Sequence, residues 1–155
     1  MNEAARTQGV RKVISGTAEL RSAIVDIVSH ADRALALLTP DLEPALYEHV
    51  EFLDTLKRFV LSKSFSRIRV LITEPHRTVK TGNQFVQMGQ RLNTYIEFRN
   101  LAPEFRPVSD AYCIADSEAI VYRTDHASPD GMVDTYAPEI AKRYLARFDE
   151  LWLAS

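Results

Sequence analysis

The 155-residue sequence has one cysteine, Cys113, so no internal disulfide can form. A chain of this length buries about two-thirds of its unfolded surface and needs no such staple. Cys113 lies in an apolar run, which predicts a buried free thiol; a lone thiol fits a reducing, cytoplasmic compartment. No stretch approaches the roughly 20 apolar residues of a membrane span. The opening MNEAARTQGVRK lacks the apolar core of a signal peptide. Residues 1–12 read as a flexible leader before one domain at 13–155.

Glycine is scarce, with five residues, and none forms G-x-G-x-x-G or a P-loop. That removes the common nucleotide-phosphate cradles. No G-x-S-x-G is present, which argues against a serine hydrolase. His30, His49, His76 and His126 stand at no metal-ligand spacing, and no Cys-x-x-Cys occurs. Neither a metal nor another cofactor is expected. DHASPD (125–130) sets a histidine between carboxylates, but its composition is that of a solvated turn.

What is present is an uneven charge. The net charge is −2, which argues against a general nucleic-acid coat. Residues 17–62 carry −4, residues 63–106 carry +5 and residues 107–155 carry −5. The basic middle is either solvated surface or a seat for phosphate or another anion. A phosphate-bearing partner, nucleic acid included, stays open.

Apolar spacing predicts a helix from Thr17, with Leu20, Ile24, Ile27 and Val28 on one face and Thr17 as its cap. RALALL (33–38) ends at Thr39-Pro40 and reads as a buried strand. Residues 44–62 read as one helix opened by Pro44, with Leu46, Val50, Leu53, Leu56 and Val60 inward. RIRVLITE (67–74) is a strand, 84–92 a helix, 95–101 a strand and 127–137 a long loop. The last helix starts at Pro138 and turns Tyr144, Phe148, Leu151 and Trp152 to one side. The alternation predicts an α/β fold with a mixed sheet of about five strands and helices on both faces.

TEPHRTVKTGNQF (73–85) leaves the end of a central strand, where open α/β sheets bind ligands. It offers His76, Arg77 and Lys80, then a helix start near Asn83 whose free N–H groups favour anions. Arg77 suits a bidentate phosphate or carboxylate, and Lys80 adds charge. An exposed basic loop is the alternative. Arg67, Arg69, Arg91 and Arg99 would contribute only if the fold gathers them on one side.

SDAYCIADSEAIVYR (109–123) reads as a strand, a turn at 116–118 and a second strand. With the element order and the closing FDELW, it resembles one half of a phospholipase D-like protein. The signature of that family is His-x-Lys-x4-Asp, and the matching positions here are Ser109, Ala111 and Asp116. Only the aspartate agrees, and aspartate is also a favoured turn residue. The chain is also similar to an uncharacterised bacterial family near the phospholipase D-like domains.

The resemblance implies a site assembled from two halves, in which one histidine attacks phosphorus, the other protonates the leaving group and lysine steadies the charge. Ser109 and Ala111 supply neither nucleophile nor cation. Ser109, Ala111, Cys113 and Ala115 form one strand face of small side chains, which permits close approach of a helix or a second subunit. The expectation is a non-catalytic domain that binds a partner or anion, with a homodimer through the hairpin face as the implication of the two-half family. The alternatives are a phosphoryl-transfer or phosphodiester-cleaving enzyme built around His76 and Arg77, and an assembly module with no ligand.

Overall fold

The computed structural model describes residues 9–62, 66–77 and 83–155. Among them the strands are β1 (Arg11–Ile14), β2 (Ala34–Thr39), β3 (Arg67–Ile72), β4 (Ile96–Asn100), β5 (Ala111–Ala115), β6 (Ala119–Arg123) and β7 (Gly131–Asp134). The helices are α1 (Thr17–Ser29), α2 (Pro44–Tyr47), α3 (Val50–Ser62), α4 (Gln84–Arg91) and α5 (Pro138–Leu153). One sheet runs in the order β1-β7-β6-β5-β2-β3-β4. β2, β3 and β4 are parallel, and the remaining neighbours pair antiparallel. No described helix is long and apolar enough to cross a membrane.

Side-chain alternation in the strands sorts the core into two layers. Leu35, Leu37, Val70, Cys113 and Val121 pack with Ile24, Ile27, Leu56 and Phe85 on one face. Ala36, Leu38, Leu71, Ile114 and Ile120 pack with Ala141, Phe148, Leu151 and Trp152 of α5 on the other. Burying each of the larger side chains contributes about 1.5–3 kcal/mol. Helices therefore cover both faces, and the mixed α/β class holds.

The sheet has seven strands among the described residues rather than about five. β1 begins at Arg11, inside the segment expected to be leader, and β7 lies inside the expected long loop. Four residues are too few to display a period, and what defines both strands is long-range pairing, from Arg11 opposite Asp134 to Ile14 opposite Gly131. A Cβ at Gly131 would strike the Tyr122 carbonyl, so the bare backbone is what lets β7 lie against β6.

Two helix expectations also change. α1 follows Gly16 (φ 89), and no side chain caps it, Thr17 included. The helix expected over 44–62 is two, because the chain breaks at Glu48–His49. The break has a use: the Glu48 carboxylate accepts from the N–H groups of Gln84 and Phe85 at the start of α4.

The hairpin is present as read. Ala111 to Ala115 pair with Arg123 to Ala119. Asp116 (φ 56) and Ser117 (φ 58) are the central residues of its turn, closed by the Glu118 N–H on the Ala115 carbonyl at 3.0 Å, and Glu118 completes the three-residue loop before Ala119. Both central residues are left-handed, as a type I′ turn requires.

Candidate functional site

The topology brings the ends of β2, β3 and β6 to the same edge of the sheet as the start of β5. The chain segments that leave these ends carry Asp41, Glu43, Glu74, Arg77 and His126, with Arg123 at the end of β6.

Arg123 is buried, at 5% exposure. Its Nη2 donates to both carboxylate oxygens of Glu43, each at 2.7 Å. Its Nη1 donates to the carbonyls of His126 (3.0 Å) and Ser128 (3.3 Å). The Thr39 hydroxyl donates to Glu43 Oε1 at 2.9 Å. The left-handed residue Leu42 (φ 66) precedes Glu43 and turns the chain out of β2 toward α2. Charge-assisted bonds of this kind are about twice as strong as neutral ones.

A second cluster adjoins the first. Glu74 Oε2 accepts from Arg77 Nη1 at 2.9 Å and lies 3.2 Å from His126 Nε2. Arg77 Nη2 is 3.3 Å from Asp41 Oδ2. The His126 backbone N–H donates to the Ser109 carbonyl at 2.7 Å, which ties this loop to the start of the hairpin. A cleft of about 250 Å³ opens here, lined in part by Thr17, Glu43, Arg123, His126 and Ser128. Burial pushes the nearby Tyr47 phenol well above its ordinary value, so it stays protonated.

Ser109 is exposed just ahead of β5, and Ala111 is buried. Directly opposite Ala111 stands Arg123, so both side chains leave the same face of the sheet. The guanidinium lies one strand over from the signature's lysine position. The small side chains of this face do meet a helix, but it belongs to the same chain: Cys113 and Ala115 are buried in the layer that holds α1. Those positions are closed to a second subunit, which corrects the dimer expected through them. Burial also raises the Cys113 thiol to about 12.

Asp116 stands at the far end of β5, roughly 20 Å from Ser109 at strand rise. Its carboxylate accepts from the N–H groups of Asp32 (2.6 Å), Arg33 (2.7 Å) and Ala34 (3.0 Å). It fixes the entry into β2. A cleft of about 510 Å³ is at this end and is lined in part by Asp26, His30, Asp32, Asp116, Glu118 and Tyr136.

The residues expected to seat an anion are placed differently from one another. His76 is exposed on the 3₁₀ turn Pro75–Arg77 and has no polar partner among the described residues. Arg77 is held by Asp41 and Glu74. Lys80 lies outside the described residues. Asn83 is buried and caps α4, its Oδ1 accepting from the Val86 N–H at 2.9 Å. With Glu48 on Gln84 and Phe85, the start of α4 already holds a carboxylate, so its N–H groups are not open to an anion. The register places Arg67, Arg69 and Arg99 on the α5 face of the sheet. Arg69 is paired with Asp149 at 2.7 Å and Arg99 with Glu97 at 2.8 Å, so this is a mixed surface and not a basic one.

Glu43 and Arg123 escaped the reading of the sequence as site residues, and His126 was weighed within DHASPD and set aside as part of a solvated turn. The signal for Arg123 was available. Once Asp116-Ser117-Glu118 is taken as the turn, counting outward from Ala115 opposite Ala119 sets residue 123 opposite residue 111.

The arrangement has solved relatives. Nuc from Salmonella typhimurium, a phospholipase D family member, superposes with a TM-score of 0.66 at 16% identity, covering 93% of this chain and 94% of Nuc. NucT from Helicobacter pylori gives 0.60 at 11% identity, with 93% and 96% covered. The archaeal chromatin protein TrmBL2, described by its novel mode of DNA binding, gives 0.64 at 13% identity over 92% of this chain and 49% of that one. No curated protein sequence matches significantly. At these identities the likeness is one of fold, and the fold is phospholipase D-like. By sequence, the chain belongs to the family described as Domain of unknown function (DUF7931), whose model matches residues 16–155.

Proposed function

We propose that this chain is a non-catalytic phospholipase D-like domain that works by binding or assembly. One observation carries the reading. At the edge of the sheet where the signature's histidine and lysine positions fall, the buried cation is Arg123, and Glu43 already holds it. A phosphodiester needs a nucleophile and an uncommitted positive charge in its transition state. The Ser109 hydroxyl has no hydrogen-bond partner among the described residues, Ala111 has no charge, and Arg123 is fully engaged with four acceptor atoms. Arg77 and the start of α4 are likewise matched to the chain's own carboxylates. The site edge is a self-neutralised network, which suits a scaffold.

The enzyme alternative requires His76 to sit in a cleft beside a second polar group. Its exposure and lack of a polar partner among the described residues weigh against that role. The test is hydrolysis of bis(p-nitrophenyl) phosphate and of plasmid DNA by the pure protein in chelator. The expected result is no turnover above buffer. Metal-independent turnover that vanishes in Ser109→Ala or His126→Ala would overturn the proposal.

A further inference from the structure

The sheet has two described margins, β1 and β4, and they differ in charge pattern. β1 carries Arg11 and Lys12 side by side, which repels a copy of itself, a common protection of edge strands. β4, IEFRN, carries Glu97 and Arg99 on one face and no proline or lysine.

The backbone of β4 is also open. The Ile68 N–H donates to the Tyr95 carbonyl at 2.7 Å, and the Leu101 N–H donates to the Ile72 carbonyl at 2.8 Å. In parallel pairing this sets the N–H and C=O groups of odd-numbered β4 residues toward β3 and those of Phe98 and Asn100 outward. Among the described residues no strand pairs with that outer side. A groove of about 530 Å³ runs beside it, lined in part by Val86, Gly89, Ile96 and Phe98.

We infer that β4 is the seam of a homodimer, in which two copies join their sheets by antiparallel pairing of β4 with β4 about a two-fold axis at Phe98. This rests on the reading of the chain as a binding or assembly domain and names its partner as a second copy. With Phe98 opposite Phe98, both outward-facing residues exchange backbone bonds as a hydrogen-bonded pair. Asn100 lies opposite Ile96 and donates to its carbonyl; the Ile96 N–H stays on Leu92 at 3.0 Å. Glu97 then lies directly opposite Arg99 of the other copy, twice by symmetry. The alternating charges are therefore self-complementary in this register. The side chains are already placed for it, with Glu97 and Arg99 half to two-thirds covered on the α5 face and Arg99 4.3 Å over the Trp152 ring.

Light scattering of the full chain over a concentration series tests the seam. Wild type is expected to dimerise. Asn100→Pro removes an outward N–H while sparing the Leu101–Ile72 bond, and it is expected to be monomeric. Glu97→Arg sets like charges opposite each other twice and is expected to weaken the dimer roughly tenfold or more. Arg99→Glu fails in the same way, yet an equimolar mixture of the two variants forms a heterodimer, since every cross-strand pair is then opposite in sign. Circular dichroism confirms that each variant is folded; if Arg99→Glu is not, Asn100→Pro and Glu97→Arg decide alone. A monomer at every concentration, or a dimer indifferent to Asn100→Pro and Glu97→Arg, overturns the inference. Neither outcome touches the hydrolysis assay, so the two readings fail separately.

Discussion

Replacing Glu43 by glutamine withdraws the charge that neutralises Arg123. The arginine side chain is 6% exposed and that of Glu43 14%, so solvent screens the pair poorly. Removing one member of a buried pair costs about 3–5 kcal/mol, because the other charge is left without compensation. Two carbonyls continue to hold Nη1, and glutamine keeps one acceptor oxygen, so the lower end of that range, about 3 kcal/mol, applies. For a chain of this size each kcal/mol lowers the melting temperature by roughly 2–4 °C, which gives a fall of roughly 6–12 °C.

The same substitution removes the resident negative charge and leaves a neutral side chain in its place. Arg123 stays fixed by its two carbonyl bonds, and a phosphate that displaces the glutamine amide meets an unmatched guanidinium. At a hundredfold excess over its Kd, phosphate would return about 2.7 kcal/mol to the variant. Phosphate also stabilises proteins nonspecifically, so the reference is Glu43→Leu with Arg123→Met in identical buffer. That double variant exchanges an ion pair for apolar packing and is expected near wild-type stability. Thermal melts of the three proteins with and without phosphate decide the matter. If Glu43→Gln melts within about 2 °C of wild type, or phosphate raises all three equally, Glu43 is not the resident anion of this site.

Asp116→Asn keeps a residue that tolerates the left-handed turn but removes a charge that accepts three backbone bonds; a loss of about 2–3 kcal/mol in urea unfolding is expected, and a change under about 0.5 kcal/mol would refute the anchoring role. Gly131→Ala pushes β7 off the Tyr122 carbonyl and should cost about 1–3 kcal/mol, read by the same assay. Cys113, Tyr47 and Tyr112 are all raised by burial, Cys113 from 9.0 to about 12. Each ionises first in the unfolded chain, so their effect is absent at neutral pH, and stability falls as pH climbs from 9.0 toward about 12. Cys113→Ala should reduce that alkaline slope, and Cys113 in the folded protein should resist a thiol reagent that labels it at once in urea.

The legible parts of the fold were those with local redundancy. α1 and α5 repeat their buried residues often enough for the period to show, β2 and β3 show as short apolar runs, and the hairpin carries its own turn. β1 and β7 are four residues each and exist because they pair across more than a hundred positions of chain. The break between α2 and α3 follows from a contact between Glu48 and the start of α4, which no local propensity records. Of the candidate site's cations Arg77 was legible and Arg123 was not, and its anions were hidden. Arg77 and Asn83 stood out because they suit phosphate chemistry, whereas Asp41, Glu43, Glu48 and Glu74 read as ordinary surface acids. Which carboxylate meets which cation depends on how the loops after β2 and β3 fold back, and that is set by tertiary packing.

The matching aspartate is where fold and chemistry separate. Of the three signature positions, Ser109 and Ala111 lie at the edge where the chemistry of the family would occur, and they lack its groups. Asp116 lies at the opposite end of the same strand and binds three backbone N–H groups at the entry to β2. Its work is to hold β2 against β5, and β2 is the strand that joins the parallel and antiparallel halves of the sheet. A chain can therefore keep this residue and the whole architecture while the catalytic pair is absent, because the two depend on different ends of one strand. The charge at the other end is then free to be balanced internally, and the Arg123–Glu43 pair does so across β6 and the loop after β2. On that reasoning changes at residue 116 act on stability alone, whereas changes at residues 43 and 123 act on stability and also on what the edge of the sheet can bind.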